Sequence, residues 1–448
     1  MGAFLKDGRI KYLRSIFSLI KGVVLAQFIL IVTMPLLTRL YTPAEFDYFA
    51  TYISLVTIFS VAAGLRFDIA ISIPSLKTMA LNLLWLSVFF TFISSLLLFA
   101  TFFISSPWLS YVATGKFHED FIWSVPLGVF LLSAYSALQF WYGRDGFFKI
   151  LSESRVVQSV FLVLVQIFLA IFYEGGLGLL LGHVFGSGMA VIWLLYKGEF
   201  VTGIKRRFCF KHLRLAFLRY KKYPMYSTFE SLLNTAGIYA PVLVISFFLE
   251  GPEAGYLMLA MRVLQGPMSL VGSSVSQVFL AQMAKTFELR QRSDITLYTL
   301  RKLIVVGMAP LIFIGYYSPA LFSYVFGGGW IRSGELVQWM VPWFIMQFLS
   351  SPISMVMHVA GKQKQMFFLT SLGFALRVGT TIGAVVFSVS SPGEIYAIAS
   401  FVFYCICFVV FSREAELSKS GYIAIGRLSV LCVAGVVTII TGIELWVG

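Results

Sequence analysis

Two long apolar segments, residues 15–37 and 46–73, are joined by the sequence Thr38-Arg39-Leu40-Tyr41-Thr42-Pro43-Ala44-Glu45-Phe46. Each segment exceeds the roughly 20 apolar residues that a helix needs to cross a bilayer. Each also carries a charge, Lys21 in the first and Arg66 in the second. Lipid disfavours such charges unless the side chain faces protein or water. The pair therefore predicts two transmembrane helices beside a wet interior.

The composition places the whole chain in the membrane. Of its 448 residues, 59% are hydrophobic and 12% are charged, whereas about 25% of residues are charged in soluble domains. The apolar runs do not alternate with polar residues as the strands of a membrane barrel do. The four cysteines and four histidines are scattered without metal-ligand spacing. We therefore expect an all-α integral membrane protein that needs no metal and no cofactor.

The apolar runs predict thirteen membrane-spanning helices. The predicted spans are 15–38, 46–70, 78–104, 122–142, 155–173, 176–196, 226–249, 255–282, 301–320, 336–357, 365–389, 393–412 and 424–446.

Loop charges orient the predicted helices. If the N-terminus is cytoplasmic, nearly all loop Lys and Arg residues fall on the cytoplasmic side. The outer loops then contain only Arg39, Lys116 and Arg332. This asymmetry satisfies the positive-inside rule. It also accounts for the net charge of +14 without nucleic acid as a partner.

A basic segment, residues 197–225, divides the chain. It contains Lys205-Arg206-Arg207 and Arg219-Tyr220-Lys221-Lys222, and we expect it to contact anionic lipid on the inner surface. The predicted domains are an N-lobe of six spans, a basic cytoplasmic linker, a C-lobe of six spans and one extra C-terminal span. Their limits are 1–196, 197–225, 226–412 and 413–448.

The two predicted lobes carry a faint internal repeat. Pro35 precedes the segment 43–48, which opens span 2, and Pro241 precedes the segment 252–256, which opens span 8. In each copy a Pro and an acidic residue precede a Tyr that enters the next helix. Six spans separate the copies, so both start on the same side of the membrane. This arrangement predicts parallel repeats related by a pseudo-two-fold axis along the membrane normal.

Four basic residues within or beside the spans are candidates for binding an anion. They are Lys21, Arg66, Arg262 and Arg377. Acidic residues are absent from the centres of the predicted spans, so an interior with cations and few acids suits an anionic substrate. The alternative for Lys21 and Arg66 is contact with lipid headgroups. For Arg262 and Arg377 it is a structural hydrogen bond between helices.

Amide and aromatic side chains within the spans could contact sugars, because they offer hydrogen bonds and flat apolar faces. The candidates are Gln139, Gln166, Asn234, Tyr239 and Gln265. Hydrogen bonding between helices is the alternative role for each of them.

The sequence contains no enzyme motif that we identify. Gly327-Gly328-Gly329 precedes Trp330 and lacks the Lys-Ser/Thr of a nucleotide-binding loop. No nucleophile–base arrangement or paired carboxylates can be argued on the outer face. We therefore do not expect an enzyme.

Several stretches of the chain together form a recognisable pattern. It begins with residues 35–46, followed by Arg66 and residues 70–74. It continues through residues 220–228, Arg262 with Pro267, Phe326-Gly327 with Trp330, and Ser351-Pro352. This pattern resembles the polysaccharide transporter family of Wzx-type flippases, which belongs to the multidrug/oligosaccharidyl-lipid/polysaccharide exporter superfamily.

The resemblance implies two six-helix lobes around a central cavity. It also implies flipping of an undecaprenyl-pyrophosphate-linked oligosaccharide from the inner to the outer leaflet of a bacterial inner membrane. The product would serve O-antigen, capsule or exopolysaccharide synthesis, with membrane lipid and other polysaccharide assembly proteins as partners. In the related lipid II flippases a cavity Arg in span 8 precedes a Pro, as Arg262 precedes Pro267 here.

The sequence departs from the family pattern in two ways. We predict thirteen spans, whereas twelve or fourteen are usual. The lipid II flippases have further cavity arginines in span 1, where this chain offers Lys21. Three alternatives stay open: a multidrug cation antiporter of the same superfamily, a membrane polysaccharide polymerase or ligase, and a non-transporting assembly scaffold.

Overall fold

A computed structural model describes the backbone of residues 2–112, 118–197, 210–283 and 289–447. Side chains are described from residue 21 onward, except at 106–107, 109–117, 198–211, 267, 269–271, 273–274, 277, 281, 284–289, 358, 443 and 446–448. The described backbone is helical throughout apart from turns and short connections. We number the α-helices in chain order: α1 Gly2–Leu40, α2 Pro43–Ala63, α3 Phe67–Ala70, α4 Lys77–Val112, α5 Asp120–Arg144, α6 Phe148–Phe172, α7 Leu177–Lys197, α8 Phe210–Arg219, α9 Thr228–Phe248, α10 Glu253–Met283, α11 Leu289–Leu303, α12 Ala309–Phe326, α13 Ile331–Ile353, α14 Met355–Val359, α15 Gln363–Val386, α16 Pro392–Glu414 and α17 Lys419–Val447.

The start and end of α2 follow from local sequence. Thr42 accepts a hydrogen bond from the Glu45 backbone N–H, and the Glu45 carboxylate accepts one from the Thr42 backbone. This capping box, with Pro43 in the first turn, fixes the helix start. The helix ends at Ala63, because Leu65 and Arg66 adopt left-handed φ values of 49° and 54°. The predicted span 46–70 therefore matches α2, but its end was placed too late, since a break at Leu65 and Arg66 separates α2 from the short helix α3.

The described residues contain twelve helices that are long and apolar enough to cross a membrane. Together they match twelve of the thirteen predicted spans. The remaining predicted span, 255–282, corresponds to α10, which has 31 residues. At 1.5 Å per residue this helix is about 46 Å long, enough to cross a bilayer. The chain is therefore an all-α, multi-pass membrane protein.

The chain forms two compact units, residues 1–255 and 256–448. In the first unit α6 packs against α1 and α7, α4 against α5, and α2 against α9. Its core includes Phe67, Leu83 and Trp141. Helix α8, in the predicted linker, lies on α4, and its Phe217 ring contacts Phe67 and Phe90.

In the second unit α13 packs against both α12 and α16, and α16 packs against α15. Buried side chains of its core include Phe279, Leu303, Phe348 and Phe411. Because α9 packs along α2, the contacts place it in the first unit. The lobe boundary that we placed at 197–225 rests on topology and stays a prediction, and residues 198–209 of it lie outside the described backbone.

Candidate functional site

A pocket of about 340 Å³ with both polar and apolar lining residues lies in the first unit between α1, α5 and α6. It is lined by Val23, Ala26, Gln27, Leu30, Gln139, Arg155, Gln158, Ser159 and Leu162. We call it the Arg155 pocket.

Helical spacing explains why the residues of α1 and of α6 each form one wall of the pocket. The α1 residues 23, 26, 27 and 30 and the α6 residues 155, 158, 159 and 162 each follow an i, i+3, i+4, i+7 pattern, so each set occupies one helix face. The two faces meet next to the pocket, where Gly22 of α1 lies directly against Ser152 of α6. A Cβ at position 22 would overlap both the side chain and the Cα of Ser152.

Arg155 is the charged group of this pocket. Its Nη2 donates to Gln139 Oε1 at 3.4 Å, and its buried Nε has no hydrogen-bond partner in the described structure. A buried guanidinium N–H without an acceptor is stabilised more by an anion than by a neutral acceptor, because a hydrogen bond between opposite charges is the stronger kind. An anionic ligand group in the pocket would supply the missing acceptor.

The other polar lining groups are uncharged. Gln158 donates to Ser187 Oγ at 3.4 Å, while Gln27, Gln139 and Ser159 supply further amide and hydroxyl groups. No carboxylate is among the lining residues of the Arg155 pocket. The pocket can therefore accept the part of a ligand in which an anionic group lies next to hydroxyl groups.

A second cavity in the first unit has the opposite charge. Its volume is about 570 Å³, and it lies around the start of α2, the start of α5 and the α6–α7 connection. Its carboxylates are Glu45, Asp47, Asp120 and Glu174. Tyr48 also lines this cavity and donates to Asp120 Oδ2 at 3.1 Å. This acidic cavity disfavours anions and suits a cationic or hydroxyl-bearing group.

The predicted anion-binding residues have different environments within the first unit. Lys21 is exposed and does not line the Arg155 pocket. It lies less than one helical turn before Val23, which does line the pocket. Arg66 lies at the break between α2 and α3, where Nη1 is 3.7 Å from Asp68 Oδ2. Ser136 donates to the same oxygen at 2.9 Å. Arg66 is thus already compensated by a carboxylate.

In the second unit Arg377 is 1% exposed on α15. Its Nε donates to the Gly373 carbonyl at 2.9 Å, and Nη1 and Nη2 have no partner in the part of the chain that the structure describes. Arg262 and Gln265 are half-buried on α10, less than one turn apart.

The predicted sugar-binding residues of the first unit also lie in different environments. Gln139 lines the Arg155 pocket. Gln166 is fully buried and its Nε2 donates to the Leu179 carbonyl at 2.9 Å, while its Oε1 has no partner among the described residues. Asn234 is exposed and Tyr239 half-buried on α9.

Sequence reasoning missed Arg155 as a candidate site residue. The predicted span began at residue 155, so Arg155 was counted with the loop cations, whereas α6 begins at Phe148. The i, i+3, i+4 spacing of Arg155, Gln158 and Ser159 was a usable signal.

Comparisons with known proteins agree with this fold. Residues 36–335 match the family model described as "Polysaccharide biosynthesis protein". None of the curated proteins matches the sequence. The solved structure of the lipid II flippase MurJ in an inward closed conformation is similar, with a TM-score of 0.71 and 14% identity over 97% of this chain and 93% of that chain.

Two further solved structures are similar. An inward-facing multidrug resistance MATE transporter of the MOP superfamily has a TM-score of 0.59 and 13% identity, over 92% of this chain and 94% of that one. A MOP superfamily transporter from Pyrococcus furiosus, described by the reverse polarity of its binding pocket, has a TM-score of 0.56 and 13% identity, over 92% and 96% of the two chains. The likeness to these structures gives the fold, and the family model covers more than half of the sequence: the chain belongs to the polysaccharide biosynthesis protein family.

Proposed function

We propose that this protein is a flippase that moves an undecaprenyl-pyrophosphate-linked oligosaccharide from the cytoplasmic to the outer leaflet. The product would serve O-antigen, capsule or exopolysaccharide synthesis in a bacterial inner membrane, with the N-terminus cytoplasmic. The observation that carries the proposal is the Arg155 pocket. Its lining combines amide side chains with a guanidinium whose Nε lacks a hydrogen-bond partner among the described residues, and it includes no carboxylate. The family and the flippase-like fold support the same activity.

In this proposal the pyrophosphate binds to cations and the sugars bind to neutral polar groups. Arg155 makes the first contact with the anion, and Lys21, Arg66, Arg262 and Arg377 are further candidates along its route. Gln139, Gln166, Asn234, Tyr239 and Gln265 are candidates for the glycan. The polyprenyl tail stays in lipid because moving its hydrocarbon out of lipid would be unfavourable. Alternating access of two repeats around a central site would carry the headgroup across.

A drug antiporter is the second candidate, and the acidic cavity is the observation that favours it. A cationic drug requires acidic or aromatic partners, and that cavity provides both, including Asp120 and Tyr173. The Arg155 pocket would repel the same cation. The two functions therefore differ in the charge of the ligand that each cavity accepts.

The test is translocation by purified protein in proteoliposomes. A fluorescent polyprenyl-pyrophosphate oligosaccharide is incorporated, and its arrival in the opposite leaflet is measured by quenching with a membrane-impermeant reductant. We expect translocation by the wild type and a loss of tenfold or more in Arg155→Gln. Lys149→Gln is the matched control, because Lys149 is an exposed cation on the same helix.

Two results would contradict the proposal. Equal translocation by Arg155→Gln and the wild type would remove the Arg155 pocket from the mechanism. Efflux of a cationic dye by the wild type, without translocation of several lipid-linked glycans, would favour the antiporter.

A further inference from the structure

A buried tyrosine of α5, Tyr135, lies behind the lining of the Arg155 pocket. It is 4% exposed and is not among the residues that line the pocket. Its hydroxyl oxygen lies 3.1 Å from Ser154 Oγ, and Ser154 immediately precedes Arg155 on α6. Gln139 follows Tyr135 by one turn of α5, and it does line the pocket. Tyr135 therefore contacts the chain neighbour of Arg155 and shares a helix face with Gln139.

The direction of the hydrogen bond between Tyr135 and Ser154 follows from a second contact. Ser154 Oγ donates to the Leu151 carbonyl at 2.9 Å. A serine hydroxyl has a single hydrogen, and a carbonyl oxygen can only accept. Because that hydrogen is used at Leu151, the Tyr135 hydroxyl must donate to Ser154 Oγ. The lone pairs of the Tyr135 oxygen are then available to accept a hydrogen bond.

The amide of Gln139 is the group placed to donate to them. Its side chain is a hydrogen-bonding neighbour of the Tyr135 hydroxyl, and its Oε1 accepts from Arg155 Nη2 at 3.4 Å. In a glutamine side chain only the nitrogen donates, so Nε2 faces Tyr135 while Oε1 faces Arg155. The reversed amide would oppose donor to donor at Arg155 and acceptor to acceptor at Tyr135.

This orientation decides which groups Gln139 and Arg155 offer to a ligand. The Oε1 of Gln139 is engaged by Arg155, whereas Nε2 keeps a second N–H that Tyr135 does not use. In the part of the chain that the structure describes, Gln139 is the hydrogen-bond partner of Arg155, and the other guanidinium N–H groups stay available. The two side chains therefore offer donors at this place in the pocket. An ionised phosphate oxygen accepts such bonds, whereas the hydrogen of a sugar hydroxyl would find no acceptor on them.

We propose that Tyr135 is a positioning residue for anion binding. It holds the Gln139 amide so that Gln139 and Arg155 together present hydrogen-bond donors to the pyrophosphate. The inference rests on the proposed transport function and deepens it, because it assigns this part of the Arg155 pocket to the pyrophosphate and not to the sugars. Tyr135 acts through Gln139 and does not touch the substrate.

Binding of a short-chain polyprenyl pyrophosphate, measured by calorimetry in detergent, tests the proposal. Tyr135→Phe keeps the ring and removes the hydroxyl, so the Gln139 amide loses the group that orients it. We expect the Kd to rise about fivefold or more, as for the loss of one hydrogen bond. The corresponding polyprenol, which has no phosphate, is the ligand control, and its affinity should not change.

Tyr142→Phe is the matched control variant. Tyr142 is also buried on α5, its hydroxyl donates to the Leu194 carbonyl at 2.8 Å, and it does not line the Arg155 pocket. Both variants lose a buried tyrosine hydroxyl, so thermal unfolding should show a similar loss of stability in each. The Kd for the pyrophosphate should rise in Tyr135→Phe and stay at the wild-type value in Tyr142→Phe.

A double-mutant cycle shows whether Tyr135 acts through Gln139. Gln139→Leu alone should raise the Kd for the pyrophosphate. In the Gln139→Leu background, Tyr135→Phe should change the Kd by less than about twofold, because no amide is left to orient. The full effect of Tyr135→Phe in that background would assign Tyr135 to packing alone and overturn the proposal.

Two further outcomes separate this inference from the proposed function. A wild-type Kd in folded Tyr135→Phe, together with weaker binding by Arg155→Gln, would overturn the role of Tyr135 and leave the Arg155 pocket as the anion site. A wild-type Kd in Arg155→Gln, or no binding of the pyrophosphate by the wild type, would contradict the pocket as the anion site and the role of Tyr135 with it.

Discussion

The guanidinium of Arg377 lies 4.6 Å from the centre of the Phe403 ring, and its Nε bonds to the Gly373 carbonyl of its own helix. These contacts leave two buried nitrogens without a partner among the described residues. A cation over an aromatic face gains on the order of 0.5–2 kcal/mol, which is less than the several kcal/mol that an ion loses on burial. The site would therefore be stabilised by an anion.

This imbalance predicts opposite effects on stability and function when Arg377 is replaced. Arg377→Met removes the charge and keeps an apolar stem, so we expect unfolding stability to be unchanged or raised by about 1–3 kcal/mol. Translocation of the lipid-linked glycan should fall at least tenfold. Arg377→Lys keeps the charge without the planar donor fork and should recover part of the activity.

Thermal unfolding in detergent and the proteoliposome assay check these effects together. A lower unfolding temperature for Arg377→Met, with translocation per folded molecule unchanged, would assign Arg377 to structure alone.

The close contact between α1 and α6 predicts a stability effect at Gly22. Gly22→Ala places a methyl group against the backbone of Ser152, so the helices must move apart. We expect a loss of about 1–3 kcal/mol, the usual range for overpacking. Translocation should also fall because the two walls of the Arg155 pocket would separate. Gly379→Ala is the control, since a Cβ there meets open space; it should change stability by less than about 1 kcal/mol.

Thermal unfolding of both variants in the same detergent checks this prediction. Equal unfolding temperatures for Gly22→Ala and Gly379→Ala would mean that α1 adjusts easily and that the contact does not fix the pocket.

His118 predicts a small dependence of stability on pH. Its ring contacts Tyr48 and Phe121, and the resulting desolvation lowers the pKa of His118 below its ordinary 6.5, while nearby Asp120 acts in the opposite direction. Between pH 6.5 and the lower folded pKa, the unfolded chain takes up a proton that the folded chain does not. Stability from this group is thus present above pH 6.5 and is lost as the pH falls through the folded pKa.

His118→Phe keeps the ring contacts and removes the titration. We expect the wild type to lose slightly more stability than this variant on acidification below pH 6.5, with equal slopes above it. Because His118 is only partly shielded from solvent, the difference should be small. Denaturant unfolding at several pH values checks it, and a wild type that gains stability relative to the variant in acid would reverse the sign of the pKa shift.

The sequence predicted the membrane fold because that fold depends on long apolar runs, and twelve predicted spans match helices that could cross a membrane. It did not predict where helices break, since the left-handed residues Leu65 and Arg66 are not glycines. The Arg155 pocket was also missed. It requires α1 and α6 to be neighbours, and a pattern along one helix carries no information about its partner. For the same reason the sequence could not distinguish the environments of Gln139 and Gln166. In the structure Gln139 lines the Arg155 pocket, whereas Gln166 bonds to the Leu179 carbonyl of α7.

The ion pair of Arg66 and Asp68 gives the last prediction, in which two substitutions should act in opposite directions. At 3.7 Å the carboxylate competes with any substrate anion for Arg66; at an effective dielectric constant of about 20, two unit charges 4 Å apart interact by about 4 kcal/mol. Asp68→Asn removes that competing charge and still accepts a hydrogen bond from Ser136. If Arg66 binds the pyrophosphate, Asp68→Asn should lower the Kd of the lipid-linked glycan about threefold or more, and Arg66→Gln should raise it.

Binding is measured in detergent by calorimetry with a short-chain polyprenyl-pyrophosphate oligosaccharide. The corresponding polyprenol without phosphate serves as the ligand control, and its affinity should not change in either variant. A purely structural ion pair gives a different result: both substitutions would lower stability, because each leaves a partly buried charge unpaired or a bond unmade. In that case neither would change the Kd of the folded protein. Opposite changes in Kd therefore separate a binding role for Arg66 from a structural one.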